Sequence, residues 1–358
     1  MELTLEDVEN LATGALFVSC SVDHESCFNF HDRILSMLTS TDKVARLVNF
    51  EDMDPDDLVV VIGFVNKGLP LTELVPVGDE FTTGISLLEQ ELGTRISAVV
   101  PLAAGNVNAL VPVLVGLQTG LPTIDSDPMG RVFPLLSQST LNLAGLSPGP
   151  FAVVGATGDS GVIRVTDSLR ADHIIRAMAA EFGGWVATVS YPTSAARIQD
   201  ALIHGTLSQL IRIGKILNSQ MSTTDKYSSL SRQFGVRRLT RACVVDVEGL
   251  SRPFPRNQPD HPTSATLVDN VQGHIVRLEI QNEILLVMID GAVEAVVPDI
   301  VTILRTEDAG VASLEDLWIG NEVDILTMPA AALWYTPEGL RLAGPDSHRL
   351  HGARRRKR

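Results

Sequence analysis

The run Leu58-Val-Val-Val-Ile-Gly63, entered through the turn Asp54-Pro55-Asp56, constrains the fold more than any other feature. A β-branched stretch without alternation fits a strand buried on both faces, which is the habit of parallel sheets covered by helices. The segments that follow keep that rhythm. A helix is predicted over Thr83 to Leu92 and a second buried strand over Ser97 to Pro101. A further helix over Asn108 to Thr119, stopped at Gly120, leads into a third short strand, Pro122-Thr-Ile-Asp125. Strand, helix and strand in succession argue for an α/β domain with a mainly parallel sheet. Ligands bind such sheets beyond the carboxyl ends of the strands, where Gly63, Gly105 and Asp125 fall.

Upstream, Thr4-Leu5-Glu6-Asp7 reads as a capped helix start. Downstream, helices are predicted over Arg170 to Phe182 and Ala195 to Leu217, separated by a strand at Trp185 to Tyr191. From about Val236 the texture changes to short alternating runs, such as Ile275 to Ile280 and Ile284 to Ile289, punctuated by Asp290-Gly291. That pattern fits a β-barrel-like module. The expected organisation is an α/β domain over 1–228, a β-rich domain over 229–345 and a basic tail over 346–358.

Composition narrows the partners. A formal net charge of -15 makes the surface repel nucleic-acid phosphates. The exception is the terminal run Arg354-Arg-Arg-Lys-Arg358, which fits either a polyanion-binding or import tail or a solvated, frayed end. No apolar run reaches the roughly 18 residues of a membrane span. The start at Met1-Glu2-Leu3 lacks the pattern of a signal peptide. The 3 cysteines, Cys20, Cys27 and Cys243, build no even disulfide framework, so a cytoplasmic setting is expected.

Several motifs invite chemistry. Gly155-Ala-Thr-Gly158-Asp-Ser160-Gly161 imitates a dinucleotide fingerprint, but the β-branched Val162-Ile-Arg-Val that follows predicts a hairpin rather than the helix a fingerprint opens. Ser160 in that turn also imitates a protease nucleophile, in a chain without the two-barrel pattern. His24, Cys27 and His31 sit three and four apart, so a helix would place all three on one face, where they could ligate a metal such as zinc. The fourth ligand is unspecified, and buried Cys and His side chains without metal are common. Asp125 and Asp127, two apart at a strand end, could act as acid and base, or could cap the next helix and pair with Arg131. Asn108 carries the donor and acceptor that suit an amide-bearing ring, or could N-cap its helix.

The block Gly105-Asn106-Val-Asn108-Ala-Leu-Val-Pro112 and then Gly120-Leu-Pro-Thr-Ile-Asp125-Ser-Asp127-Pro-Met129-Gly130-Arg131-Val-Phe133-Pro134 closely resembles the hallmark of the S-methyl thiohydantoin desulfurase-like family. Further echoes at Gly183-Gly184, Tyr191-Pro192-Thr193, Gly205-Thr206-Leu207-Ser208 and Pro298-Asp299-Ile300 follow in family order. The resemblance implies an α/β domain with a β-barrel-like domain, and water displacing a thiol from the carbon between two ring nitrogens of a hydantoin-like cyclic amide. It implies Asp125, Asp127 and Glu73 as catalytic residues, and Asn106, Asn108, Arg131, Met129 and Gly130 as substrate-binding ones. Such genes often lie beside those of hydantoinase and oxoprolinase subunits, so a hydantoinase-like partner is implied, and a homo-oligomer is expected because isologous dimers are common.

The chain departs from the family pattern in four places. The usual glycine run after the first helix is Ser19-Cys20-Ser21-Val22-Asp23-His24-Glu25 here. A glycine run lets backbone N–H groups approach an anion closely; Val22 does not. Ala103 replaces the usual Glu, Leu74 the usual Lys, and Pro253 to Pro262 the Gly-Gly-Phe loop. Two expectations remain open: a hydrolase-type enzyme that has recruited Cys20 or His24, or a catalytically silent binding or accessory subunit.

Overall fold

The computed structural model describes residues 1–19, 24–66, 71, 73–248 and 263–353. Cys20 to Asp23, the stretch from Pro253 to Pro262 and the run Arg354 to Arg358 lie outside the described residues. The chain divides into two compact units, one of residues 1–15 with 25–211, the other of 16–24 with 212–358.

The first unit is layered α/β. Its elements begin with α1 (Leu5–Ser19), α2 (His24–Ser40), β1 (Leu47–Val48), β2 (Leu58–Asn66) and α3 (Glu80–Leu92). There follow β3 (Ala98–Pro101), α4 (Asn106–Thr119), β4 (Thr123–Ile124), β5 (Ser126–Asp127) and α5 (Thr140–Leu143). The hairpin β6 (Phe151–Gly155) and β7 (Ser160–Ile163) precedes α6 (Ser168–Glu181) and β8 (Trp185–Ser194). Last come α7 (Ala195–Ile198), β9 (Ile203–His204) and α8 (Thr206–Leu217). The cap at Thr4 forms: its hydroxyl accepts the amide of Asp7 at 3.1 Å, and the Asp7 carboxylate accepts the amide of Thr4 at 2.9 Å.

Seven strands make the main sheet in the order β1-β4-β3-β2-β8-β6-β7. Pairing is parallel from β1 through β2 and antiparallel from β2 through β7. Val59, Val60, Val61 and Ile62 are each 0% exposed, so the β-branched run is covered on both faces. Strand β5 leaves this sheet and pairs with β9 instead, Asp127 opposite Ile203. That pairing corrects the single helix expected over Ala195 to Leu217. The segment is broken into α7 and α8 because β9 inserts between them and Gly205 takes φ 70°, a conformation that ends regular structure.

The second unit contains α9 (Thr223–Phe234) and an antiparallel sheet of seven strands curled into a half-barrel. Its strands are β10 (Arg237–Glu248), β11 (Thr263–Asp269), β12 (Ile275–Ile280), β13 (Ile284–Ile289), β14 (Ala292–Val296), β15 (Ile300–Arg305) and β16 (Glu322–Met328). The order is β14-β13-β12-β11-β10-β16-β15. Alternate residues such as Ala242 and Val244, Ala265 and Leu267, and Val276, Leu278 and Ile280 form its core, as a sheet with one buried face requires. The Asp290-Gly291 turn joins β13 to β14 with φ 49° and 77°, the positive angles of a tight hairpin. A short α10 (Pro337–Ala343) follows. Among the described residues no helix is long and apolar enough to cross a membrane.

Candidate functional site

The carboxyl ends of the parallel strands hold the conspicuous polar groups of the first unit. After β4 the chain turns at Asp125 and changes sheets, so the two aspartates serve separate sets of donors. Asp125 accepts the amides of Leu207 at 2.9 Å and Ser208 at 3.0 Å, together with the Ser208 hydroxyl. A carboxylate at the start of α8 meets the N–H groups that a helix leaves without partners, and favours the positive end of its dipole. The Asp125 carbonyl also accepts the Gly205 amide at 2.7 Å.

Asp127 is 0% exposed. Its carboxylate accepts the amides of Ala104 at 2.8 Å and Met129 at 2.9 Å, and that of Gly130 at 2.9 and 3.0 Å to its two oxygens. It thereby ties the loop between β3 and α4 to the turn after β5. Burial pushes its pKa up from 3.8 to about 6, against the lowering effect of those amides and of the Thr206 side chain. Between them, Ser126 places its hydroxyl 2.9 Å from Nδ1 of His204.

The remaining expected residues divide by what they touch. Asn108 uses both ends of its amide on Phe64: Oδ1 accepts the Phe64 amide at 2.7 Å, and Nδ2 donates to the Phe64 carbonyl at 3.3 Å. It fixes the end of β2. Asn106 opens α4 with φ 48°, a costly angle for a residue other than glycine. Its Oδ1 accepts the Val107 amide at 2.8 Å. Gly130, half-buried at φ 66°, satisfies its turn as only glycine does cheaply. Met129 and Arg131 are each 2% exposed; Arg131 donates from Nε to the Val132 carbonyl at 3.2 Å and lies 4.7 Å from the Phe133 ring centre. Glu73 is exposed, and Ala103 is buried.

The histidine and cysteine trio is not gathered as a ligand set: among the described residues no group of three or more His, Cys, Asp or Glu side chains could hold a metal ion. Cys27 is 0% exposed, while Nδ1 of the partly exposed His31 lies 3.0 Å from Asp32. His24 is buried, and burial lowers its pKa to about 4 despite the nearby Asp316.

The two shifted groups predict opposite pH behaviour. For Asp127 the folded chain binds more protons than the unfolded one between pH 3.8 and about 6, so its contribution falls as pH rises through that window. The difference is about 3 kcal/mol. Urea unfolding of wild type and Asp127→Asn at pH 4 and pH 7 should show wild type losing ground to the variant at the higher pH. The reverse trend would mean that the three amides outweigh burial. For His24 the unfolded chain binds more protons between pH 6.5 and about 4, so stability falls as pH drops through that range, again by about 3 kcal/mol. His24→Gln should flatten this acid limb, and an unchanged limb would reject the assignment.

Sequence reasoning missed the donors. The amides of Ala104, Leu207 and Ser208 carry no residue signature, although Gly205-Thr206-Leu207-Ser208 ahead of an apolar helix is itself a helix-start pattern. It also missed Asp172, buried and holding the Leu136 amide at 3.0 Å and Nε of Arg176 at 3.1 Å.

A family model for the S-Me-THD-like N-terminal domain matches residues 6–165, and one for the S-Me-THD-like C-terminal domain matches residues 166–351. The border between the two models falls inside the first unit, since β8 pairs with both β2 and β6. A crystal structure of a protein from Chromobacterium violaceum is similar over 100% of this chain and 99% of that one, with a TM-score of 0.75 and 20% identity, a likeness of fold. No curated protein matches. With two consecutive family models spanning residues 6–351, the chain belongs to the S-Me-THD-like family.

Proposed function

We propose that the chain is a hydrolase-type enzyme acting on hydantoin- or thiohydantoin-like cyclic amides at the strand ends of its first unit. The observation that carries this is Asp127, a buried acid whose pKa of about 6 lies close to where a general acid–base group works best. Displacement of a methylthio group needs water to lose a proton as its oxygen bonds to the ring carbon. The departing sulfur must then gain a proton to leave as methanethiol, with hydantoin as the other product. On this proposal Asp127 shuttles that proton. Having no exposed surface, it does so when the loops that hold Ala104 and Gly130 part to admit the ring. Asp125 and Asn108 are positioning residues, holding α8 and the end of β2, and Asn106 and Gly130 face the ring. Cys27 and Cys243 are not joined in a disulfide, which fits a cytoplasmic setting.

A second reading is favoured by the saturation of both carboxylates with backbone donors and by the exposure of Glu73. On it the chain binds such rings without turnover, as an accessory subunit beside hydantoinase-like proteins. The test is thiol release from an S-methyl thiohydantoin, followed with a thiol-reactive dye, alongside calorimetry with the same ring. The first reading expects release that stops in Asp127→Asn while the melting curve persists. Saturable heat without thiol favours the second, and neither signal sinks both.

A further inference from the structure

The second unit carries a groove of about 520 Å³ lined by Tyr227, Ser228, Ser231, Arg232, Val236, Arg237 and Arg238. One wall is α9, where Ser228, Ser231 and Arg232 fall three and four residues apart and so share a face. Helix α9 is stopped by Gly235 at φ 68°, and the other wall is the first residues of β10. Pairing of β10 with β16 slips between Arg238 and Thr240. Three arginines line the groove in a chain whose net charge is -15, and Arg238 among them is paired with the buried Asp324. Concentrating like charges costs energy that an anion would offset.

The arginines are not equivalent. Arg238 lies 3.4 Å from the buried Asp324 and 5.8 Å from the centre of the Tyr227 ring. Asp324 also holds Arg241 at 2.7 Å and accepts the Tyr227 hydroxyl at 2.8 Å, so this carboxylate stiffens the floor. Arg232 is exposed and donates from Nε to the Ser228 carbonyl at 3.4 Å, which leaves its terminal nitrogens available. The Ser228 hydroxyl donates to the Thr224 carbonyl at 2.9 Å, and Ser231 adds a hydroxyl on the same face.

We infer that this groove binds the phosphate group of a phosphorylated small molecule. Planar guanidinium forks match phosphate oxygens in paired hydrogen bonds. The groove is shallow and open, so a phosphate held by the arginines would leave an organic portion directed toward solvent. This site is separate from the strand-end site and does not depend on the function proposed for that one.

The full chain would be titrated calorimetrically with AMP and, separately, with inorganic phosphate. The expected result is saturable AMP binding that weakens with added salt, falls about tenfold or more in Arg232→Gln, and is better kept in Arg232→Lys. Inorganic phosphate binding as well as AMP, and equally lost in Arg232→Gln, supports the phosphate site with the free ion as its occupant. Absence of saturable binding by either probe overturns the inference. So does AMP affinity unchanged in both Arg232→Gln and Arg237→Gln, each with a wild-type melting temperature.

Discussion

Asp125→Ala should destabilise the first unit by about 4 kcal/mol, the sum expected when a buried amide, a half-buried amide and a hydroxyl lose their acceptor and a helix start loses its counter-charge. Alanine leaves the amides of Leu207 and Ser208 facing a void at a position 7% exposed. Asp125→Asn retains one acceptor oxygen and should cost roughly half as much. Urea unfolding measures the total, and hydrogen exchange at Leu207 and Ser208 locates it. A loss below about 1 kcal/mol, the size of an ordinary exposed cap, would show that α8 begins without this carboxylate.

Gly14→Ala should be comparably severe, at about 3 to 5 kcal/mol, for a steric reason. A Cβ built at Gly14 would lie 2.0 Å from the carbonyl oxygen of Leu210, and the obstacle is backbone that no rotamer change can move. Helices α1 and α8 approach each other at this glycine, so alanine would prise them apart. Gly161→Ala is the control, because a Cβ there meets nothing within 4 Å. The expected outcome is a melting temperature lowered by several degrees for the first and nearly unchanged for the second. Equal melting of both would mean that α1 can shift at no cost.

Those two sites show what was readable in the sequence. The α/β rhythm was legible because burial on both faces writes a continuous β-branched run, Val59 to Ile62, while one-sided burial writes alternation, as in Val276, Leu278 and Ile280. The hairpin between β6 and β7 was legible from Val162 and its neighbours, against the pull of three glycines. The break between α7 and α8 was not, because β9 exists only through its pairing with β5, a tertiary fact. The aspartates were identifiable by type and position. Their occupation was not, since backbone amides look alike at every residue. Asn108 illustrates the same limit: an amide suited to a ring is equally suited to the main chain of Phe64.

The interleaving of the two units along the chain has a consequence for biosynthesis. Residues 16–24 leave the ribosome early but belong with residues 212–358, which emerge last. In the first unit, β2 waits for β8, with Val61 opposite Ser190, before its second edge is covered. A nascent chain released near the middle therefore exposes one unpaired edge of a mostly apolar strand, the kind of surface chaperones retain. Arrested chains ending just before Trp185 should be markedly more aggregation-prone than chains ending after Ser194, so the hazard in making this protein is concentrated in the passage of one strand.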